Sequence, residues 1–144
     1  MRLVFASDHG GVDLKDVLAA NARAAGHSVV DLGVHDPAST DYPPYAQQVC
    51  RRVLDGEAER GILICGTGIG MAITANRFPG IRAALCHDAF TAEAGRRHND
   101  ANVLCLGGRT TGPGVAAQIL ELFLTIPFEG GRHRRRLDLI DLKE

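Results

Sequence analysis

The chain has 144 residues, the length of one domain, and carries 16 Lys and Arg against 17 Asp and Glu, for a net charge of −1. Charge so evenly balanced gives no global field for holding nucleic acid or an anionic membrane. With 45% hydrophobic residues, 23% charged residues and no Trp, the composition is that of a folded domain whose core is built from Leu, Val, Ile and Ala.

Apolar runs alternate with helical patterns along the chain. Leu3-Val4-Phe5-Ala6 predicts a short buried strand. After Gly10 and Gly11, the residues Val12, Leu14, Val17 and Leu18 recur at helical spacing, and Gly26 marks the stop. Val29-Val30-Asp31-Leu32 predicts a second strand. Residues 33–44 read as a loop, and Pro43-Pro44 opens a helix running through Val49, Val53 and Leu54.

Gly61-Ile62-Leu63-Ile64-Cys65 predicts a third strand, and the turn Gly66-Thr67-Gly68-Ile69-Gly70 leads into a helical stretch over 71–76. A fourth strand is expected over Ile81–Cys86, a helix over 89–98, and a fifth strand at Val103-Leu104-Cys105-Leu106. A strongly apolar helix over 113–124 follows. Strand and helix alternate five times, which predicts an α/β fold with an open five-stranded parallel sheet and helices on both faces. One domain is expected over residues 1–144.

The segment 130–144 carries Leu137, Leu139, Ile140 and Leu142 among charges, so it is expected to dock, on its own domain or on a second subunit. Its basic run Arg132-His133-Arg134-Arg135-Arg136 reads as a solvated face or as a clamp for a small phosphate, with nucleic acid a weaker alternative. Cys50, Cys65, Cys86 and Cys105 form no C-x-x-C pair, which removes support for a zinc ribbon or a redox dithiol. No signal-peptide core and no span of about 20 apolar residues occurs, so a cytoplasmic location without membrane association is expected.

In open parallel sheets ligands bind outside the carboxyl ends of the strands. That rule gathers Ser7-Asp8-His9, Cys65-Gly66-Thr67, His87-Asp88 and Gly107-Gly108-Arg109 on one rim. The turn after Cys65 is the most informative segment. Its glycines let backbone approach a ligand, and the N–H groups of a helix start can hold a phosphate or an enediolate oxyanion. The same end of the helix favours a thiolate, which makes Cys65 a usable base. An ordinary tight turn with a buried Cys accounts for this segment equally well.

Three familiar motifs do not fit. Position 71 is Met, so the spacing G-x-G-x-x-G is absent, and no Gly-Lys-Ser/Thr follows the glycines. The Arg that closes a cysteine-phosphatase loop is missing too, since the first Arg after Cys65 is Arg77. Among single residues, a His near a helix end such as His98 is more often a dipole partner than a catalyst, and Asp8 and His9 can each be a helix cap and nothing more.

Four segments occur in order: Ser7-Asp8-His9-Gly10-Gly11, Cys65-Gly66-Thr67-Gly68-Ile69-Gly70, His98-Asn99-Asp100-Ala101-Asn102 and Arg132-His133-x-x-Arg136. Together they resemble the type B ribose-5-phosphate isomerases and their sister isomerases of galactose 6-phosphate and allose 6-phosphate. The resemblance covers essentially the whole chain. It implies a Rossmann-like three-layer α/β/α sandwich that forms a homodimer with its active sites at the interface. The segment 130–144 would contribute to that interface, and pairing of dimers into tetramers stays open.

By the same resemblance Cys65 would be the base between C1 and C2, and Thr67 would assist proton transfer between the oxygens. The amides of Gly66, Thr67, Gly68, Ile69 and Gly70 would hold the enediolate. His98 from the partner subunit would open the furanose ring, with Asp8 close by, and Asn99 would bind the sugar. His9, Arg109, Arg132 and Arg136 would hold the phosphate, and Tyr42 would wall the sugar site. No metal or nucleotide cofactor is implied. One branch of the family uses a Glu after the glycine turn as base; no acid occurs between 66 and 80, which places this chain with the cysteine branch. Val12 stands where many relatives have an aromatic residue, a departure that bears on pocket packing and substrate size. The expected reaction is ribose 5-phosphate to ribulose 5-phosphate, with a six-carbon sugar phosphate or a non-catalytic sugar-phosphate sensor as alternatives.

Overall fold

Three of the five strands have their inner residues shut off from solvent on both sides, and this decides the architecture. They are β1 (Arg2–Ser7), β3 (Arg60–Cys65) and β5 (Val103–Gly107). The computed structural model describes residues 1–143; Glu144, the end of the segment expected at a dimer interface, lies outside the described residues. The shorter strands β2 (Ser28–Asp31) and β4 (Ala83–Leu85) form the two edges. The sheet is wholly parallel, in the order β2-β1-β3-β5-β4.

Alternation along the central strands builds two separate apolar layers. Leu3, Phe5, Ile62, Ile64, Leu104 and Leu106 face one side, where α1 (Val12–Ala24), α4 (Ala89–Arg97) and α5 (Pro113–Thr125) pack on them. Val4, Ala6, Leu63, Cys65, Val103 and Cys105 face the other, covered by α2 (Pro43–Leu54) and α3 (Ile69–Ala75). The result is a three-layer α/β/α sandwich, as expected. Each fully buried Leu, Ile or Phe in these layers stabilises the fold by about 1.5–3 kcal/mol.

Several details depart from the sequence-based expectation. In α1 the buried residues are Val12, Leu14, Leu18 and Ala22, with Lys15 and Ala19 beside them, while Val17 is exposed. Lys15 is fully buried because Asp31 Oδ2 and Asp16 Oδ1 accept from its Nζ at 2.6 and 2.7 Å. The fourth strand is shorter than Ile81–Cys86, since the Arg82 N–H turns to the Asn102 side chain. The terminal segment holds a further short helix, α6 (Arg132–Leu137), whose His133 and Leu137 face inward, four residues apart. Leu139, Ile140 and Leu142 remain exposed. Among the described residues no helix is long and apolar enough to cross a membrane.

Candidate active site

The chain leaves β1 for β2 on one side, and β3 lies on the other. The crevice between the carboxyl ends of β1 and β3 is therefore the topological switch point, where open α/β sheets bind ligands. Asp8 follows β1 and Cys65 ends β3. The Asp8 N–H donates to the Ile64 carbonyl, which ties the two loops together. Asp8 is almost fully buried, and its Oδ1 accepts from the Gly10 N–H at 2.8 Å, capping a single 3-10 turn over His9–Gly11.

That turn must pass very close to the next loop. A Cβ on Gly10 would lie 3.1 Å from the Gly66 nitrogen, and one on Gly11 would strike the Ile64 carbonyl at 2.7 Å. Only glycines allow this approach. The half-buried His9 caps no helix; its Nδ1 accepts from the Thr40 N–H at 3.1 Å. When neutral, the ring therefore carries its proton on Nε2, on the edge away from Thr40.

The turn after Cys65 wraps its own sulfur. Gly68 lies in the left-handed region at φ 79°, and its N–H donates to Cys65 Sγ at 3.1 Å. The thiol, 4% exposed, sits where the α2/α3 apolar layer meets this turn. That hydrogen bond holds the sulfur against the head of the turn. The other cysteines are placed differently. Burial pushes Cys50 up to about 12, Cys86 up to about 11, and Cys105 well above its ordinary value.

Thr67 is exposed at the head of the turn, its Oγ1 accepting from the Ile69 N–H at 3.3 Å. The Tyr42 ring lies against Gly70, where a Cβ would come within 2.5 Å of it.

Strand β5 inserts between β3 and β4, which brings its loop to this site. The Gly108 and Arg109 N–H groups donate to the carbonyls of Cys65 and Gly66 at 2.8 and 2.9 Å. The exposed Arg109 guanidinium lies against Gly66. The same order moves His87 and Asp88 to the sheet edge, two strand spacings or roughly 10 Å from β3. They stay on the carboxyl rim but at its far edge, away from Cys65, and Asp88 caps α4, accepting from the Thr91 N–H at 2.7 Å.

The remaining expected residues form a second group. His98 closes α4 and, with Asn99, precedes β5 at the amino ends of the strands. Cys65 is paired with Gly107, at the far end of β5 from Val103, so the two rims are separated by roughly 13 Å of strand. His98 stacks on His133, ring centroids 4.6 Å apart and planes 17° from parallel. Arg132 and Arg136 project from the same short helix and are exposed. A groove of about 840 Å³ opens beside Asn99, between Arg82 and the terminal Ile140 and Leu142.

One chain thus brings together Asp8, His9, Tyr42, Cys65, Gly66, Thr67, Gly68, Ile69, Gly70 and Arg109. It holds His98, Asn99, Arg132 and Arg136 elsewhere. Around His98 stand His133, which was quoted only within the Arg132–Arg136 motif and given no role, and Glu129, which was not singled out from sequence. The i,i+4 pairing of His133 with Leu137 was the signal for the buried face that carries the first of them.

A model of the ribose/galactose isomerase family matches residues 3–140. The chain is 44% identical over 139 residues to ribose-5-phosphate isomerase B of Escherichia coli, covering 96% of this chain and 93% of that protein. It is 38% identical over 146 residues to D-erythrulose-4-phosphate isomerase of Pectobacterium atrosepticum, covering 100% of this chain and 95% of the other. Ribose-5-phosphate isomerase B of Clostridium thermocellum superposes with a TM-score of 0.96 at 45% identity, over 97% of this chain and 95% of that one. Agreement this complete, in sequence and in backbone, leaves no part of the sandwich or its rim unaccounted for: the chain belongs to the ribose/galactose isomerase family and is an aldose-ketose isomerase of sugar phosphates.

Proposed function

We propose that the chain interconverts ribose 5-phosphate and ribulose 5-phosphate, a reaction of the pentose phosphate pathway, with Cys65 as the base. The observation that carries this reading is the Gly68 N–H donated to Cys65 Sγ at the head of a glycine-rich turn. The thiolate takes the proton from C2 of the open-chain aldose. The electrons of that C–H bond form the C1=C2 bond, and the carbonyl pair moves onto O1 as a cis-enediolate. The Thr67 hydroxyl relays the proton from O2 to O1, and the Cys65 thiol returns its proton to C1. Amides of residues 66–70 hold the oxyanion, where fixed dipoles act without reorganisation. Cys50, Cys86 and Cys105 stay protonated near neutral pH and take no part.

The working unit in this reading is a homodimer in which the amino-rim group of one subunit completes the carboxyl-rim group of the other. Two observations support it: the separation of the two groups within one chain, and the exposure of Leu139, Ile140 and Leu142 beside the second. His98 from the second subunit then opens the furanose ring. His9 and Arg109, joined by Arg132 and Arg136, grip the phosphate, whose remote binding energy fixes the sugar for reaction.

A second reading changes only substrate length. The Pectobacterium relative is named for a four-carbon sugar phosphate, and Val12, buried at the start of α1, occupies less space than an aromatic ring would. Parallel assays of four-, five- and six-carbon aldose phosphates decide the matter. The five-carbon substrate is expected to give the highest kcat/KM, and a higher value for another length overturns the pentose assignment.

A further inference from the structure

The segment His98-Asn99-Asp100-Ala101-Asn102 ends in three residues to which the proposed reaction gives no role. Asp100 is, among the described residues, the one non-glycine with a positive φ, at 45°. It closes α4 with the two backbone bonds of a Schellman turn. Its own N–H donates to the Arg96 carbonyl, and the Ala101 N–H donates to the Gly95 carbonyl. Glycine is the usual residue there, sometimes asparagine, and an acid at a helix C-terminus opposes the macrodipole. The turn alone therefore does not call for a carboxylate. This one faces two guanidiniums from different elements. Arg96 Nη1 donates to its Oδ1 at 3.0 Å, and Arg82 Nη2 donates to its Oδ2 at 3.4 Å.

We propose that Arg82 and Asp100 are positioning residues, whose ion-paired turn fixes the direction in which His98 and Asn99 project toward the sugar. This rests on the roles given to His98 and Asn99 in the function proposed above. Arg82 Nε donates to the carbonyls of Asn99 and Asp100 at 3.0 and 3.1 Å, so one guanidinium grips both the backbone and the carboxylate of the turn. Arg82 is itself fixed just before β4. Its N–H donates to Asn102 Oδ1 at 2.8 Å, and its carbonyl accepts from the Asn102 N–H at 3.0 Å. Arg96 is buried with its guanidinium over the Phe123 ring, and it also donates to the carbonyls of Ala101 and Ile126 at 2.6 and 3.2 Å. Both arms of the clamp are thus rigid. Asn99 is exposed at the groove it shares with Arg82 and is held through its main chain, so backbone position sets where its amide reaches. Misplacing a reacting group by about 1 Å can cost on the order of a hundredfold in rate.

The test uses the full-length protein. Asp100→Asn keeps the shape and tolerates the left-handed backbone but removes the charge, and Asp100→Gly suits that backbone better still. Arg82→Lys keeps the charge but loses the fork. With circular dichroism native, each variant should lower kcat on ribose 5-phosphate by about tenfold or more while KM stays close to the native value. Native kcat in Asp100→Gly would show that residue 100 supplies only a bend, and overturns the proposal. Mixed dimers give a readout that a general loss of stability would not move. Cys65→Ala and His98→Ala chains refolded together regain one intact site, with Cys65 from one chain and His98 from the other. Asp100→Asn added to the Cys65→Ala chain, the donor of His98, should remove the regained activity. Added to the His98→Ala chain it should spare that activity, and equal loss from both placements overturns the proposal. A third measurement needs no substrate. The NMR signals of the His98 imidazole, stacked on His133, should shift in Asp100→Asn, and unchanged signals overturn the hold on His98. A parent mixture that regains nothing, or an enzyme inactive on every sugar phosphate, would instead defeat the functional reading, while the NMR arm still decides the clamp.

Discussion

The Gly68 N–H points at the Cys65 sulfur from 3.1 Å, and it does so because Gly68 adopts φ 79°. A Cβ at Gly68 would meet Leu85 Cδ1 at 2.6 Å and the Leu106 carbonyl carbon at 2.9 Å. Gly68→Ala is therefore opposed by both backbone conformation and space. It should lose about 1–3 kcal/mol of stability together with most of its turnover. Chemical denaturation alongside a kcat measurement checks this; unchanged kcat would mean that the turn does not hold the sulfur in its working position.

The split of the expected site between two rims gives a test by complementation. Cys65→Ala and His98→Ala homodimers should each be nearly inactive. If the two variants are unfolded and refolded together, random pairing makes half the dimers mixed, and each of those regains one intact site. Activity should return to about a quarter of the native value. No recovery after verified subunit exchange would place both residues in the same subunit's site or remove one from it.

Thiol chemistry should single out one cysteine. Near neutral pH, burial keeps Cys50, Cys86 and Cys105 as thiols, with Cys50 titrating only at about 12 and Cys86 at about 11. Iodoacetamide should modify Cys65 first, abolish activity in step, and be slowed by bound sugar phosphate. Peptide mass mapping over time reads the order, and earlier modification of another cysteine would contradict it.

The cap on α4 predicts a pH-dependent stability. Hydrogen bonds from the Thr91 backbone and hydroxyl hold the Asp88 carboxyl below the usual carboxylate range. A group whose folded pKa is depressed stabilises above its unfolded pKa, and that stability is lost as pH falls through the folded value. Asp88→Ala should therefore lower Tm at pH 7, and the gap to the native protein should close below about pH 4. A gap that persists in acid would show that the cap acts without its charge.

Lys15 and Asp31 offer a contrasting case inside the protein. Lys15 is completely enclosed, and Asp31 Oδ1 accepts from the Gly33 N–H at the start of the loop that reaches His9. Lys15→Met leaves a mostly buried carboxylate unpaired and should cost about 2–4 kcal/mol in urea denaturation. The double variant Lys15→Met/Asp31→Leu should regain part of that loss; no recovery would show that the pair's charges are not what links α1 to β2.

Much of this was legible in the sequence because parallel strands buried on both faces, such as Ile62-Leu63-Ile64, have only one apolar reading. The carboxyl-rim residues followed, since each sits directly after such a run. Strand order was not legible. Nothing local to Val103–Gly107 says that it slips between β3 and β4, so the distance of His87 and Asp88 from Cys65 along the carboxyl rim was not readable. Lys15 on a buried face and the stack of His133 on His98 were hidden for the same reason: each depends on a partner distant in sequence, Asp31 in one case and the end of α4 in the other.

The base itself is best tested by exchange of the substrate C2 proton with solvent, followed by NMR in deuterated buffer for the native enzyme and Cys65→Ala. Exchange should fall roughly 10³-fold in the variant while circular dichroism and ribose 5-phosphate binding stay native. Exchange at close to the native rate in Cys65→Ala would show that another group moves the proton.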